Sequence, residues 1–336
     1  LPIMIRQAVM GLAGMVDFGP FRGRDQVEPI AERLERPSAA EIEAVRADCR
    51  FVLPSLDCSM HWPSPLISGR LIRRYKRFLA DVRLSNGRIV TAHCPNTGSM
   101  KGCCELGRPV YLSFHDNPKR KLKYTWELIE MPTSLVGVNT LVPNRLVFES
   151  VKAGVVPELS GYETVKPEVK INTQSRIDLA LTAVDRRHCY VEIKNCTLVD
   201  NRVAEFPDAV TTRGLKHITE LQAMVDSGCR CVMFYFIQRM DAAVFKPADH
   251  IDPEYGKGLR RAVKRGLEIL AYDVAIDLKG IKLNRKIKIR INGSQTGVSE
   301  QTTIAMLKAR AKVANARSNR GSSVLRNSAI NVPLAP

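Results

Sequence analysis

No stretch of about 18 uninterrupted apolar residues occurs in the 336-residue chain, so no membrane-spanning helix is written in it. Metal-knuckle spacings are missing too. The nine cysteines, at 49, 58, 94, 103, 104, 189, 196, 229 and 231, form no CxxC pair and are odd in number, which argues against zinc ribbons and a secreted disulfide framework. Cys103-Cys104 and Cys229-Cys231 are too close for ordinary bridges or tetrahedral sites. Buried, reduced thiols are the expectation, and with them a reducing, cytoplasmic location. His93, His115 and His188 stand without ligand spacing and read as structural or surface residues. No internal repeat is present. Acidic groups are scarce: 34 Asp and Glu face 51 Lys and Arg, a net charge of +17. That excess favours an anionic partner. A hydrophobic fraction of 45% excludes wholesale disorder, and at roughly 150 residues per domain the length suggests two domains.

The charge is unevenly spread. Residues 1–59 sum to −2, residues 60–290 to +14 and the tail from 291 to +5, while Arg70 to Lys123 alone carries +10. So dense a stretch reads as an electrostatic footprint for nucleic acid. The first 59 residues differ in character from the rest of the chain. Met4–Val16 is a short apolar run without a clear cleavage site, residues 29–48 have the pattern of an amphipathic helix with Ser38 and Glu41 as a capping pair, and Met60 is a plausible true start. The tail beyond Ile291 is rich in Ser, Asn, Ala, Thr and Gln, and reads as mostly disordered apart from a short helix near 301–314.

Between these ends two patterns succeed one another. Short β-rich runs at Tyr75–Leu84, Arg88–Cys94, Pro109–Phe114, Lys121–Glu130 and Leu135–Val138, with turns at Asn86-Gly87 and Asn96–Gly98, suit an OB-like five-stranded barrel over residues 60–141. Of Tyr75, Phe78, Tyr111, Phe114, Tyr124 and Trp126, half are expected in the core and the rest are available to stack on bases. From Pro143 the pattern becomes helix, three strands (Thr164–Ile171, Ser175–Ala183, Cys189–Leu198), helix (Pro207–Ser227), strand (Arg230–Arg239), helix (Pro253–Arg265) and strand (Leu267–Val274). This predicts a mixed sheet flanked by helices over 142–291.

The informative chemistry lies in Arg176-Ile177-Asp178-Leu179 and Val191-Glu192-Ile193-Lys194. Alternation puts Ile177, Leu179, Val191 and Ile193 on one face and Asp178, Glu192 and Lys194 on the other. A hairpin that pairs Leu179 with Val191 and Ile177 with Ile193 also sets Asp178 opposite Glu192, roughly 5 Å apart at Cβ. Two facing carboxylates repel unless something neutralises them. A Mg²⁺ or Mn²⁺ ion would, since such ions take a few carboxylate oxygens together with water and phosphate oxygens. Lys194, on the same face, is placed to orient or deprotonate the water that attacks phosphorus. Asp, a hairpin, then Glu-x-Lys is the layout of a PD-(D/E)xK nuclease-like core; the bland alternative is a solvated strand face with a Glu192–Lys194 ion pair. Glu149, on the preceding helix, is a candidate third carboxylate or a surface salt bridge. Lys216, His217 and Glu220 share one side of the following helix, either as phosphate contacts or as an ordinary polar face.

Several strings in order, Leu71–Val82, His93–Met100, Asn117–Leu122, Val136–Thr140, Phe206–Val210 and Arg213–His217, resemble the bacterial and archaeal sugar fermentation stimulation protein A family. The resemblance spans roughly Met60 to Ile291 and leaves out the 1–59 leader and the 292–336 tail. It implies an OB-like N-terminal domain, a PD-(D/E)xK-like C-terminal domain, non-specific DNA binding and a regulatory role in maltose and related sugar metabolism. Asp178, Glu192 and Lys194 match the nuclease-like positions, and Glu149 a helical carboxylate. The expectation is therefore a DNA-binding protein, with RNA as an open possibility, carrying a Mg²⁺-dependent phosphodiesterase site; the alternative is a non-enzymatic DNA-binding regulator on the same scaffold. Candidate phosphate contacts are Arg73, Arg74, Lys76, Arg77, Asn96, Lys101, Lys119, Arg120 and Lys121. Nothing in the sequence marks a protein partner.

Overall fold

The computed structural model describes residues 58–171 and 175–291. The apolar run at Met4–Val16, the helix expected at 29–48 and the tail from 292 lie outside the described residues. After a short strand β1 (Met60–His61), five strands build a barrel: β2 (Ile67–Tyr75), β3 (Leu79–Leu84), β4 (Ile89–His93), β5 (Pro109–Phe114) and β6 (Tyr124–Met131). Their order is β4-β3-β2-β5-β6, and parallel pairing of Ala92 with Tyr124 and His93 with Thr125 closes the sheet on itself. This is the closed five-stranded OB barrel, to which β7 (Ser134–Gly137) adds a further strand on β6. Alternation fills it: Leu71, Val82, Val90, Val110, Leu112 and Trp126 point inward and are buried.

One expected strand is in fact a hairpin. Tyr75–Leu84 does not run straight, because Lys76 and Arg77 adopt φ of 48° and 66° and turn β2 back into β3. Turns of this kind ordinarily carry glycine or asparagine, so two basic residues gave no turn signal. The same missing signal hid most of β2, whose Arg70 and Arg73 face outward.

The second part opens with α1 (Val142–Lys152), followed by β8 (Thr164–Lys170), β9 (Arg176–Thr182), β10 (Cys189–Cys196), β11 (Leu198–Asp200), β12 (Val203–Phe206), α2 (Thr212–Asp226), β13 (Arg230–Ile237), β14 (Val244–Pro247), α3 (Pro253–Lys264), β15 (Glu268–Ile276), β16 (Gly280–Lys286) and β17 (Lys288–Ile289). The main sheet has the order β1-β16-β15-β13-β10-β9-β8: β10, β13 and β15 are parallel, and antiparallel strands flank them. The central strand β13 is buried on both faces, as its unbroken Cys-Val-Met-Phe-Tyr-Phe-Ile run demands. On one face α1 packs Val142, Leu146, Val147 and Val151 against Leu179, Val191 and Phe234. On the other, α2 and α3 cover Met233, Tyr235 and Ala271 with Ile218, Leu221, Tyr255 and Leu259. The helix–strand order matches the sequence reading; β11, β12, β14, β16 and β17 are additional. Four of these five are only 2–4 residues long, and β16 has just Ile281 and Leu283 as apolar residues in its seven, so hydrophobic periodicity does not reveal them.

The barrel is fastened to the α/β part by buried polar contacts. Arg239, 4% exposed, pairs with Asp241 at 2.6 Å and donates to the carbonyls of Gly102 and Thr197. A Cβ at Gly102 would stand 2.8 Å from the Thr197 oxygen, so this approach requires glycine. The Val136–Arg239 bridge and the Gly137 N–H to Gln238 carbonyl bond continue the seam. Cys94, Cys103, Cys189, Cys196 and Cys231 are buried thiols, and burial pushes Cys103, Cys196 and Cys231 up to about 12; Cys104 and Cys229 are only half-buried. Among the described residues no helix is long and apolar enough to cross a membrane.

Candidate active site

The hairpin of β9 and β10 has the predicted register where it is paired, Leu181 with Cys189, Ala180 with Tyr190 and Leu179 with Val191. Beyond that point the ladder stops. Instead of continuing to an Ile177–Ile193 pair, the Asp178 carboxylate accepts the Ile193 backbone N–H at 2.7 Å. Ile177 leaves the expected apolar face and packs with Ile218 and Leu221 beneath α2. The neighbouring strand bends with it: Glu168, beside Asp178 on β8, has φ of 51°. Period-two alternation cannot foresee such a bend, because it results from replacing a ladder hydrogen bond by a side-chain one.

Asp178, Glu192 and Lys194 line one cleft of about 760 Å³ together with Asn144, Ser175, Arg176, Arg213, Lys216 and His217. Asn144 Nδ2 donates to Asp178 Oδ1 at 2.8 Å. Burial first, and the adjacent Glu192 charge second, raise the Asp178 carboxyl to about 6. Burial acts on Glu192 in the same sense, but hydrogen bonds from His217 and the charge of Lys194 outweigh it and hold this carboxyl below its usual value. Lys194 Nζ reaches Glu192 Oε1 at 2.7 Å, and His217 Nδ1 bonds to that same oxygen. Arg213 Nε donates to His217 Nε2 at 3.4 Å.

Glu149 is elsewhere, and the expectation of a third carboxylate is corrected. Asn144, five residues earlier on α1, faces the cleft; Glu149 is exposed and lines a separate hollow with Cys58, His61, Arg145 and Lys152. Five residues at 100° each turn a side chain well away from its starting face. The amide of Asn144 carried no sequence signal of its own. Glu220 is bound to Ser175 and Lys216.

Of the proposed phosphate contacts, Lys76, Arg77, Lys101, Lys119 and Lys121 are exposed. Arg73 is exposed but pairs with Asp81 at 2.8 Å and lies over the Tyr75 ring. Arg74 and Asn96 instead shape a loop: Arg74 Nη2 donates to the Asn96 and Gly98 carbonyls, and the buried Asn96 accepts from Gly98 N–H. Arg120 braces Thr125. The Asn96–Lys101 loop reaches the α/β part through Asp208, which accepts from Met100 N–H and, by its carbonyl, from Ser99. Asp208 stands four residues before α2, whose first turns supply Arg213, Lys216 and His217 to the cleft. Among the aromatic residues Trp126 is buried, while Phe78 and the Phe114–Tyr124 ring pair lie at the barrel surface.

Residues 72–138 match the family model described as the SfsA N-terminal OB domain, and residues 141–280 the one described as the sugar fermentation stimulation protein RE domain. The chain belongs to the sugar fermentation stimulation protein family. Among its relatives, the sugar fermentation stimulation protein homolog of Geotalea uraniireducens is 53% identical over 232 residues, covering 69% of this chain and all of the homolog. That of Geobacter sulfurreducens is 54% identical over 227 residues, 68% of this chain and 97% of the homolog. Among solved structures, Pyrococcus furiosus SfsA, described in complex with Ca²⁺, aligns with a TM-score of 0.63 at 26% identity and covers 69% of this chain and 98% of its own. The family match thus falls on the barrel and the mixed sheet.

Proposed function

We propose that this family member binds DNA along its barrel and hydrolyses phosphodiesters in the Asp178–Glu192–Lys194 cleft with the help of Mg²⁺ or Mn²⁺. One observation carries the reading: a half-buried and a buried carboxylate on neighbouring strands share a polar cleft, and the first is held at about 6 by desolvation and by the other's charge. A cation fits this donor set. Among the described residues no group of three or more His, Cys, Asp and Glu is placed to hold a metal, so an ion has two carboxylates to rest on and must draw its other oxygens from water and phosphate. That is how Mg²⁺ is ordinarily held. The Ca²⁺ of the Pyrococcus furiosus relative supports a divalent ion in this family. When bound, such an ion supplies positive charge to phosphoryl oxygens and acidifies water.

The chain's own residues do the rest. Asp178 and Glu192 would hold the ion, with Asn144 and the Ile193 N–H fixing the Asp178 carboxylate. Lys194 would orient or help deprotonate the attacking water, and Arg176, Arg213 and Lys216 line the cleft as cations for a phosphate backbone. The loop that carries Lys101 is tied to the segment leading into α2, which would let a phosphate backbone pass from the barrel's basic loops toward the cleft. Lys76 and Arg77 keep left-handed backbone beside that loop, where Arg77 Nε donates to the Thr97 carbonyl, a strain that proteins commonly retain at binding sites.

The test is cleavage of DNA and of RNA with and without Mg²⁺ or Mn²⁺. Asp178→Asn should abolish metal-dependent cleavage yet leave DNA binding intact. Lys194→Ala should cost at least about 10²-fold in rate while divalent-ion binding persists. Wild-type protein that binds DNA but neither cleaves nor takes up a divalent ion would move the reading to a non-enzymatic regulator; cleavage confined to RNA would move the substrate.

A further inference from the structure

The hydrogen bonds on Glu192 are lopsided. Lys194 Nζ at 2.7 Å and His217 Nδ1 both address Oε1, and among the described residues no donor is placed on Oε2. A carboxylate oxygen offers two lone pairs, so two donors saturate Oε1. The imidazole is set for this task by its far nitrogen. A guanidinium only donates, so the 3.4 Å contact from Arg213 Nε makes His217 Nε2 the acceptor and leaves the proton on Nδ1, pointing at Glu192. The adjacent Lys194 Nζ, 3.1 Å from Nδ1, is then a neighbour crowding the same oxygen rather than a donor to the ring. The ring is mostly covered, with its side chain 16% exposed, and Glu192 is more deeply buried still.

From this geometry we propose that His217 is a positioning residue that determines which divalent ion the cleft accepts. It does so by keeping Glu192 to a single available oxygen. The inference rests on the reading of Asp178 and Glu192 as cation ligands. Ca²⁺ takes six to eight oxygens and commonly chelates a carboxylate through both. Mg²⁺ and Mn²⁺ are content with octahedral surroundings, one oxygen per carboxylate and several waters. A Glu192 whose Oε1 is occupied by His217 and Lys194 can serve the second kind of ion and is a poor chelator for the first. Removing the His217 donor frees one lone pair of Oε1 and opens the two-oxygen mode. Partners that orient a metal ligand in this way typically change affinity by about 10–100-fold.

The experiment is calorimetric titration of the full chain with Mn²⁺ and, separately, Ca²⁺, for wild type, His217→Phe and His217→Asn. Phe retains the ring's bulk against the cleft wall, so the fold is preserved, but offers no donor. Asn places an amide N–H close to the position of Nδ1. The Ca²⁺-to-Mn²⁺ affinity ratio is expected to rise about tenfold in His217→Phe and to return to the wild-type ratio in His217→Asn. Wild type that binds both ions with an unchanged ratio in His217→Phe overturns this role of His217 and leaves the metal site standing. So does an Asn variant that behaves like Phe. Wild type that binds neither ion overturns the metal site itself, and this inference with it.

Discussion

At Asp178, burial and the neighbouring Glu192 both work against the charged carboxyl, and the backbone N–H of Ile193 and the Asn144 amide only partly compensate. The folded state therefore prefers the protonated acid up to about pH 6, whereas the unfolded chain releases that proton near the ordinary value of 3.8. Its stabilising contribution is complete below the unfolded value and disappears as pH rises through 6. Asp178→Asn keeps the shape and removes the charge. In chelator-treated protein it is expected to be more stable than wild type at pH 7, by about 2 kcal/mol, and the gain should shrink toward zero near pH 4. Urea unfolding of both proteins from pH 4 to 7.5 checks this; a variant less stable than wild type at pH 7 would mean that the carboxylate is held by more than it repels. Glu192 is the opposite case. His217 and Lys194 hold its carboxyl below the usual value, so its contribution is present at neutral pH and lost as pH falls.

At the scale of elements, one arginine ties several parts of the seam between barrel and sheet together. Arg239 supplies Asp241, Gly102 and Thr197 with charge or donors in a nearly water-free setting. Arg239→Ala leaves the half-buried Asp241 carboxylate with Thr133 alone and two carbonyls without this donor, and is expected to cost about 3 kcal/mol in thermal or urea unfolding. Burial also pushes the Asp241 carboxyl up, but the Arg239 hydrogen bond and charge hold it below its usual value, so removing the arginine reverses that balance. The basic loops obey a different rule. Lys76, Lys101, Lys119 and Lys121 are exposed, so replacing them by Ala should leave stability nearly unchanged. The same change should flatten the dependence of log affinity on log salt by about 0.9 for each phosphate that is no longer neutralised. Arg74→Ala should instead loosen the Asn96–Gly98 loop, because its guanidinium is tied to two carbonyls there. An unchanged salt slope in the fourfold variant would place the footprint outside the barrel.

For the whole molecule, residues 58–291 hold the barrel, the seven-stranded sheet and helices α1 to α3, and β1 ends that sheet by pairing Met60 and His61 with Ile281 and Gly280. A protein cut to 58–291 is expected to unfold in one cooperative step and to bind DNA with a salt slope lower only by the share of the basic tail. Loss of cooperative unfolding in that fragment would show that residues outside it complete the core. Cutting further, through Trp62, removes β1 and the indole N–H bond to the Asp277 carbonyl, and should lower the melting temperature measurably.

The amino-acid sequence by itself determined which layers exist and what their faces carry. Alternating Val, Leu and aromatic residues specify barrel strands, the seven apolar residues after Arg230 specify a strand buried on both sides, and Asp178, Glu192 and Lys194 are legible as one polar face. These features rest on local periodicity, which a chain expresses without reference to distant residues. Tertiary structure alone decided the remainder. It put Asn144 rather than Glu149 at the cleft, because the rotation of α1 is set by how Val142, Leu146, Val147 and Val151 seat against the sheet. The bend at Asp178 depends on β8, β10 and α2 together, and it sends Ile177 to the other core. His217 came to Glu192 because Ile218 and Leu221 seat α2 on the sheet and so set its rotation. Each of these is a contact between residues far apart in the chain, and its energy depends on packing and burial that no local pattern encodes.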